Sequence, residues 1–248
     1  MNRRTVLAGV GSIGLASLAG CLGLAGLDKH ESDPAGVDAA VRDDTGYEQT
    51  KIDDLVIDEK FELGPYSETV SVTNYLTEHE KRVDMGPLGS QRGALFMVLT
   101  TPQVSIAGRE LNPVGDMSTT ELVDLVQSNY DAIGDIAHDG NDEIAVLDQE
   151  TTISRFTADA QFNGQDVEVY LHVTEAVETA EDLLVTIGVY PSLVRSQEED
   201  NVLELVSNVT ETVDESASTG GAEGSGEGNG GNESDSGNES DGGILDAV

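Results

Sequence analysis

Apolar residues recur along the chain with two different periods, and the switches between them mark out its elements. From residue 47 the period is two: Leu55, Ile57, Phe61 and Leu63 alternate with polar residues. After Gly64-Pro65 the alternation resumes at Tyr66, Val70 and Val72, so the stretch predicts a pair of amphipathic antiparallel strands. Residues 94–99 are continuously apolar, as a strand buried on both faces would be. Thr100-Thr101-Pro102 stops that run, and the strand is placed at the centre of the sheet.

Asn163-Gly164 is the preferred two-residue type I′ turn, so residues 151–175 predict a hairpin whose register follows by counting outward. Ala160 then faces Val167, Ala158 faces Val169 and Phe156 faces Leu171, which makes one apolar side. On the other side Asp159 faces Glu168, Thr157 faces Tyr170, and Arg155 faces His172, a contact expected at the surface. A further strand signal over 183–190 ends at Pro191.

Three stretches carry the helical period. Asp33-Pro34 reads as a helix start, with Val37, Ala40 and Val41 on one face and Thr45-Gly46 as the stop. Ser118-Thr119-Thr120-Glu121 is a capping box, followed by Leu122, Leu125, Val126, Tyr130 and Ile133 at helical spacing up to Gly134. Ser196-Gln197-Glu198-Glu199 is a second box, and Val202, Leu205, Val206 and Val209 form the buried stripe of a terminal helix. Strands and helices mixed in this way predict an α+β domain, an antiparallel sheet with packed helices, over residues 33–213.

The ends differ from this domain in composition. Arg3-Arg4 precede an apolar run diluted by Gly9, Gly11 and Gly14, as in twin-arginine export signals. The run closes on Leu18-Ala19-Gly20-Cys21, the lipobox pattern in which the cysteine is lipidated and becomes the mature N-terminus. Cys21 is the only cysteine of the chain, and lipidation accounts for an exported thiol with no disulfide partner. Residues 1–20 are therefore read as signal and 21–32 as a short tether. The alternative is an uncleaved membrane helix over residues 5–27, which is long enough to span but interrupted by glycine. From Asp214 to the end the chain is Gly, Ser, Glu, Asp and Asn with little that is apolar, an acidic tail expected to be disordered.

Acidic residues outnumber basic ones 48 to 12, for a formal net charge of −36. Only nine of the acids lie in the tail, so the domain itself is strongly acidic. Such a surface repels itself in dilute buffer and is relieved in concentrated salt, where the screening length falls to about 3 Å. No run of Lys or Arg exists to neutralise phosphates, which argues against nucleic acid as a partner.

The chain resembles a family of haloarchaeal lipoproteins known only as a domain of unknown function, from the lipobox to about residue 210. The likeness rests on Thr45-Gly46-Tyr47, Met85-Gly86-Pro87-Leu88-Gly89, Leu99-Thr100-Thr101-Pro102-Gln103-Val104, Leu111-Asn112-Pro113 and Gly188-Val189-Tyr190-Pro191. It implies a location and no activity. The order of elements also resembles the Mog1/PsbP-like α+β arrangement, and a likeness of fold does not carry function.

Candidate chemistry is sparse. Among His30, His79, His138 and His172 none has a zinc-ligand spacing, and no nucleophile elbow or phosphate loop occurs. His79 is expected at a solvated strand end. His138, Asp139, Asn141, Asp142 and Glu143 gather carboxylates and an amide around Gly140, a mixture that calcium-like cations favour, although the spacing is not that of a calcium loop. Asn208, Asn232 and Asn238 open glycosylation sequons. No cofactor is implied. The expectation is a non-catalytic binding or interaction module at the cell surface, partnered by the membrane through its lipid and by an unidentified protein or ligand. The alternatives are an envelope hydrolase using carboxylates that spacing does not single out, and a structural protein whose tail is a hydrated spacer.

Overall fold

Most of the alternating and apolar runs pair into one sheet. The computed structural model describes residues 29–63, 66–106, 109–110, 112–123, 133–162 and 165–213. In chain order the elements are β1 (Lys29–Glu31), β2 (Gly36–Val37), α1 (Ala39–Thr45), β3 (Glu48–Leu63), β4 (Tyr66–Asp84), β5 (Ser90–Pro102), β6 (Ser105–Ile106) and β7 (Arg109–Glu110). After the crossover come β8 (Ile133–Val146), β9 (Gln149–Phe162), β10 (Gln165–Thr174), β11 (Val177–Glu178), β12 (Asp182–Pro191), α2 (Arg195–Ser207) and β13 (Val209–Thr210).

Two antiparallel meanders, β3-β4-β5 and β8-β9-β10, are joined by β12, which inserts between β5 and β10. Short β1 pairs in parallel with β4, and β11 pairs with β12, completing a mixed sheet of nine strands. The expected α+β class of helices packed on an antiparallel sheet is overturned by this mainly-β architecture, and the Mog1/PsbP-like arrangement falls with it. The described helices explain why: α1 has seven residues and α2 thirteen, against strands of up to nineteen.

Local chemistry moved the helix boundaries. The first helix starts at Asp38, whose Oδ1 accepts from the backbone N–H of Ala40 and Val41 at 2.9 and 3.3 Å, and not at Asp33, whose own N–H donates to Asp182 Oδ2. Gly46 closes it in the left-handed region at φ 77°, where glycine carries no Cβ penalty. The Ser118 box is formed: Ser118 N–H donates to Glu121 Oε2 at 2.9 Å, and residues 119–123 are helical. Ile133 and Gly134, however, already belong to β8, so the helical spacing had run on across an element boundary; residues 124–132 lie outside the described residues. The Ser196 box is not a cap, since α2 begins at Arg195 after Val194.

Each face of the sheet has its own cover. On one, Val202, Leu205 and Val206 of α2 are fully buried, and Val202 sits over Gly188 of β12. A Cβ at Gly188 would lie 2.5 Å from Val202 Cγ1, so glycine is what lets the helix come this close. Leu122 and Val123 are buried on the opposite side, where Thr119 Oγ1 meets Ser154 Oγ of β9 at 2.6 Å. The domain's ends are tied together, β13 pairing with β2 through Val209 and Val37. Val209 thus belongs to a strand and not to the helical stripe.

Candidate functional site

Strand alternation puts an unusual row of polar side chains beneath the helices. Gln49, His79, Phe96, Gly188, His172 and Arg155 occupy successive cross-strand positions from β3 to β9. Tyr170 and Tyr190 pair on the adjacent rung, and α2 delivers Arg195, Glu198 and Glu199 onto them. A mainly apolar face would have been cheaper to bury, because a buried polar group costs free energy unless it is paired.

Glu198 shows how the pairing is achieved. Its side chain is about 2% exposed, Oε2 accepts from the Tyr47 hydroxyl at 3.0 Å, and Oε1 accepts from Lys81 Nζ at 2.7 Å and Asn201 Nδ2 at 3.2 Å. Lys81 also lies 5.5 Å from the centre of the Tyr47 ring. Burial, with the Glu198 carboxylate beside it, pushes the Tyr47 phenol well above its ordinary range. Lys81 and Glu198 are among the residues that line an open cleft of about 470 Å³. The rest of its lining comes from the end of β4 (residues 82–84), the turn at Gly86 and Pro87, and Leu193, Val194 and Gln197 around the start of α2. That volume is in the range that holds a small molecule.

A second network lies across α2. Arg155 donates to Asp139 Oδ2 and Glu199 Oε1, both at 2.7 Å, and Arg195 donates to Glu199 and to the Tyr170 hydroxyl. The hydrogen bond from Arg195 holds the Glu199 carboxyl below its usual range, and that from Arg155 does the same for Asp139. Underneath, His172 Nε2 shares a hydrogen bond of 2.8 Å with the Tyr190 hydroxyl, and the two rings stack. Burial lowers His172 from 6.5 to about 4 and raises Tyr190. The register expected for Arg155 and His172 is present, but the contact is buried: His172 is 3% exposed because α2 covers that face.

His79 is likewise buried and not at a solvated end. Its Nδ1 lies 3.2 Å from the Phe96 carbonyl, its Nε2 has no hydrogen-bond partner, and burial lowers it to about 4. Neither buried histidine had a spacing signal; the polar side of the hairpin was the clue, had a helix been placed over it.

The remaining sequence candidates fall out as follows. His138, Asp139, Asn141, Asp142 and Glu143 lie along β8, with register shifts at Gly140, and not in a turn. Asp139 is committed to Arg155, and Asn141 Oδ1 meets His138 Nε2 and the Ser154 hydroxyl. Among the described residues no three His, Cys, Asp or Glu side chains gather as metal ligands. Asn208 is exposed at the C-cap of α2 and donates to the Glu204 carbonyl. Arg3, Arg4, Leu18, Ala19, Gly20, Cys21, Asn232 and Asn238 lie outside the described residues, as does the alternative helix over 5–27. Among the described residues no helix is long and apolar enough to cross a membrane.

A family model described as a domain of unknown function matches residues 34–210. No curated protein matches the chain.

Proposed function

The chain belongs to the DUF6517 family, and from that premise we propose that its domain is a binding module, held at the outer face of a cell membrane by a lipid on Cys21, with the cleft beside α2 as its binding site. The observation that carries this reading is the Lys81–Glu198 pair in the cleft lining. A general base needs a carboxylate lone pair facing the substrate, and Glu198 is about 2% exposed and already accepts from Tyr47, Lys81 and Asn201, three of the roughly four positions a carboxylate offers. Lys81, which lines the cleft with a side chain 20% exposed, is held in place by its ion pair with Glu198 and offers the cleft a positioned hydrogen-bond donor. Val83, Pro87, Leu193 and Val194 supply the apolar part of the lining. A positioned donor among apolar groups suits the binding and orienting of a ligand.

The reading is tested by titrating the full-length protein with a panel of small organic acids while following the side-chain amide of Gln197 and the Nζ resonance of Lys81 by NMR. Shifts confined to the cleft support it, and a panel that moves neither signal sinks the assignment of the cleft. The anchoring half is tested separately: Cys21→Ser is expected to release the protein from the membrane fraction and to remove the lipid from its intact mass. A catalytic reading draws on the His172 and Tyr190 pair, whose ordinary protonation is shifted as active-site groups often are. Both side chains are 3% exposed or less, and a substrate would have to displace α2 to reach them.

A further inference from the structure

The two edges of the nine-stranded sheet are built differently. β8 closes one edge, and its register with β9 shifts after Gly134 and again before Gly140, the kind of irregularity that spoils an edge for further pairing. β8 also exposes no large apolar side chain. β3 closes the other edge, and from Lys51 onward it pairs with β4 without a break. No other described strand pairs with β3. Leu55, Val56 and Ile57 of this strand are 43, 57 and 50% exposed, three of the four large apolar side chains exposed among the described residues. They are consecutive, so strand alternation leaves both faces of the edge uncovered there.

We infer that β3 between Asp53 and Asp58 is a docking edge for an extended segment of another polypeptide, which adds to the sheet as a further antiparallel strand and carries three apolar residues between two basic ones. The surface is separate from the cleft beside α2 and does not depend on it. β3 offers such a segment the outer side of its backbone, and main-chain hydrogen bonds supply the affinity in pairings of this kind. Alternation sets Asp54, Val56 and Asp58 on one face of the strand and Asp53, Leu55 and Ile57 on the other. A segment laid antiparallel meets Asp58, Ile57, Val56, Leu55 and Asp54 in turn, about 17 Å of strand. Apolar residues opposite 55–57 cover the exposed triplet, and Lys or Arg opposite Asp54 and Asp58 completes opposite-charge pairs across the strands. The strand's own cation does not serve there, since Lys51 Nζ lies 2.7 Å from Asp53 Oδ2.

A second copy of the chain fits this edge badly. The antiparallel register that sets one apolar triplet against the other also sets Asp54 against Asp58 at both ends of the triplet, like charges directly across strands. Sliding the copies by one or two residues puts an aspartate opposite an apolar side chain or opposite another aspartate. A chain of formal net charge −36 likewise draws a basic segment towards it and repels an acidic one.

The probe is the peptide acetyl-Thr-Lys-Val-Ile-Val-Lys-Thr-amide, titrated into the full-length protein at about 0.1 M salt, where a Debye length of about 10 Å leaves charges in contact effective. At about ten times its Kd it is expected to slow hydrogen exchange of the backbone amides it covers within residues 54–58 about tenfold. The same peptide with proline in place of isoleucine keeps the charge but cannot complete the ladder, and is expected to give no protection. Asp54→Lys combined with Asp58→Lys, both at exposed positions, is expected to bind the lysine peptide more weakly by about tenfold or more. That variant is expected to protect the same amides with the glutamate-flanked counterpart instead, which also shows that it is folded. Absence of protection by the lysine peptide overturns the inference. Equal protection by the proline peptide, or a double variant that binds the lysine peptide as the unaltered protein does, reduces the effect to the general attraction of an acidic chain for cations and overturns it too. Protection at 54–58 that needs no peptide and grows with protein concentration assigns the edge to a second copy instead.

Discussion

Burial decides which protonation state His79 and His172 can hold. Each titrates near 6.5 when exposed and near 4 in the folded domain. Between those values the unfolded chain takes up protons that the folded one excludes. Stability is therefore complete above pH 6.5 and declines as the pH falls towards 4, by about 3 kcal/mol for each histidine at the limit. Urea midpoints measured from pH 8 to 4 are expected to be flat and then to fall from about 6.5, above the range where ordinary carboxylates titrate. His172→Gln is expected to remove roughly half of that fall. A midpoint that is unchanged down to pH 4 would contradict the burial of both rings. Little of this was legible in the sequence: the register put His172 opposite Arg155 correctly, but only the helix above turns that pair from surface into interior. Glu199 departs from its sequence reading for a related reason. Its place at the end of the capping-box pattern implies a backbone partner, whereas Arg195, one turn earlier, and Arg155, far away in sequence, take its oxygens.

Among the elements, the seat of α2 on β12 is the tightest. An alanine methyl at position 188 would stand only 2.5 Å from Val202 Cγ1, so Gly188→Ala must push the helix outward, and overpacking of this kind costs about 1–3 kcal/mol. Adding Val202→Ala restores the room, so the double variant is expected to lose less stability than the two single losses summed, measured by chemical denaturation as a double-mutant cycle. Simple additivity would mean that the two groups do not meet. The elements also differ in how openly the sequence declares them. Every pair counted outward from Asn163-Gly164 is found between β9 and β10, because hairpin register depends on neighbours alone; the turn itself lies outside the described residues. The apolar run at 94–99 is an interior strand for an equally local reason. β8 was hidden, since its register shifts at Gly134 and Gly140 break the alternation that identifies a strand and left an acidic stretch that resembled a turn.

For the whole molecule the governing quantities are charge and connectivity. At a formal net charge of −36 the folded chain repels itself, and the few cations of the domain are largely spent on ion pairs such as Lys81 with Glu198 and Arg92 with Glu80. Raising KCl from dilute buffer to about 1 M is expected to increase the melting temperature and then to level off once the Debye length falls to about 3 Å. Calorimetry showing no salt dependence would mean that the acids are spaced too widely to interact. Connectivity has a consequence in time. β12 is the last long strand to leave the ribosome and the seam between the two meanders, so neither half gains its inner neighbour until residue 191 has been made. Such distant pairing folds slowly, and it cannot begin until β12 has emerged. A translocation route that accepts only finished cargo, as the paired arginines suggest, would give this sheet the wait that it needs.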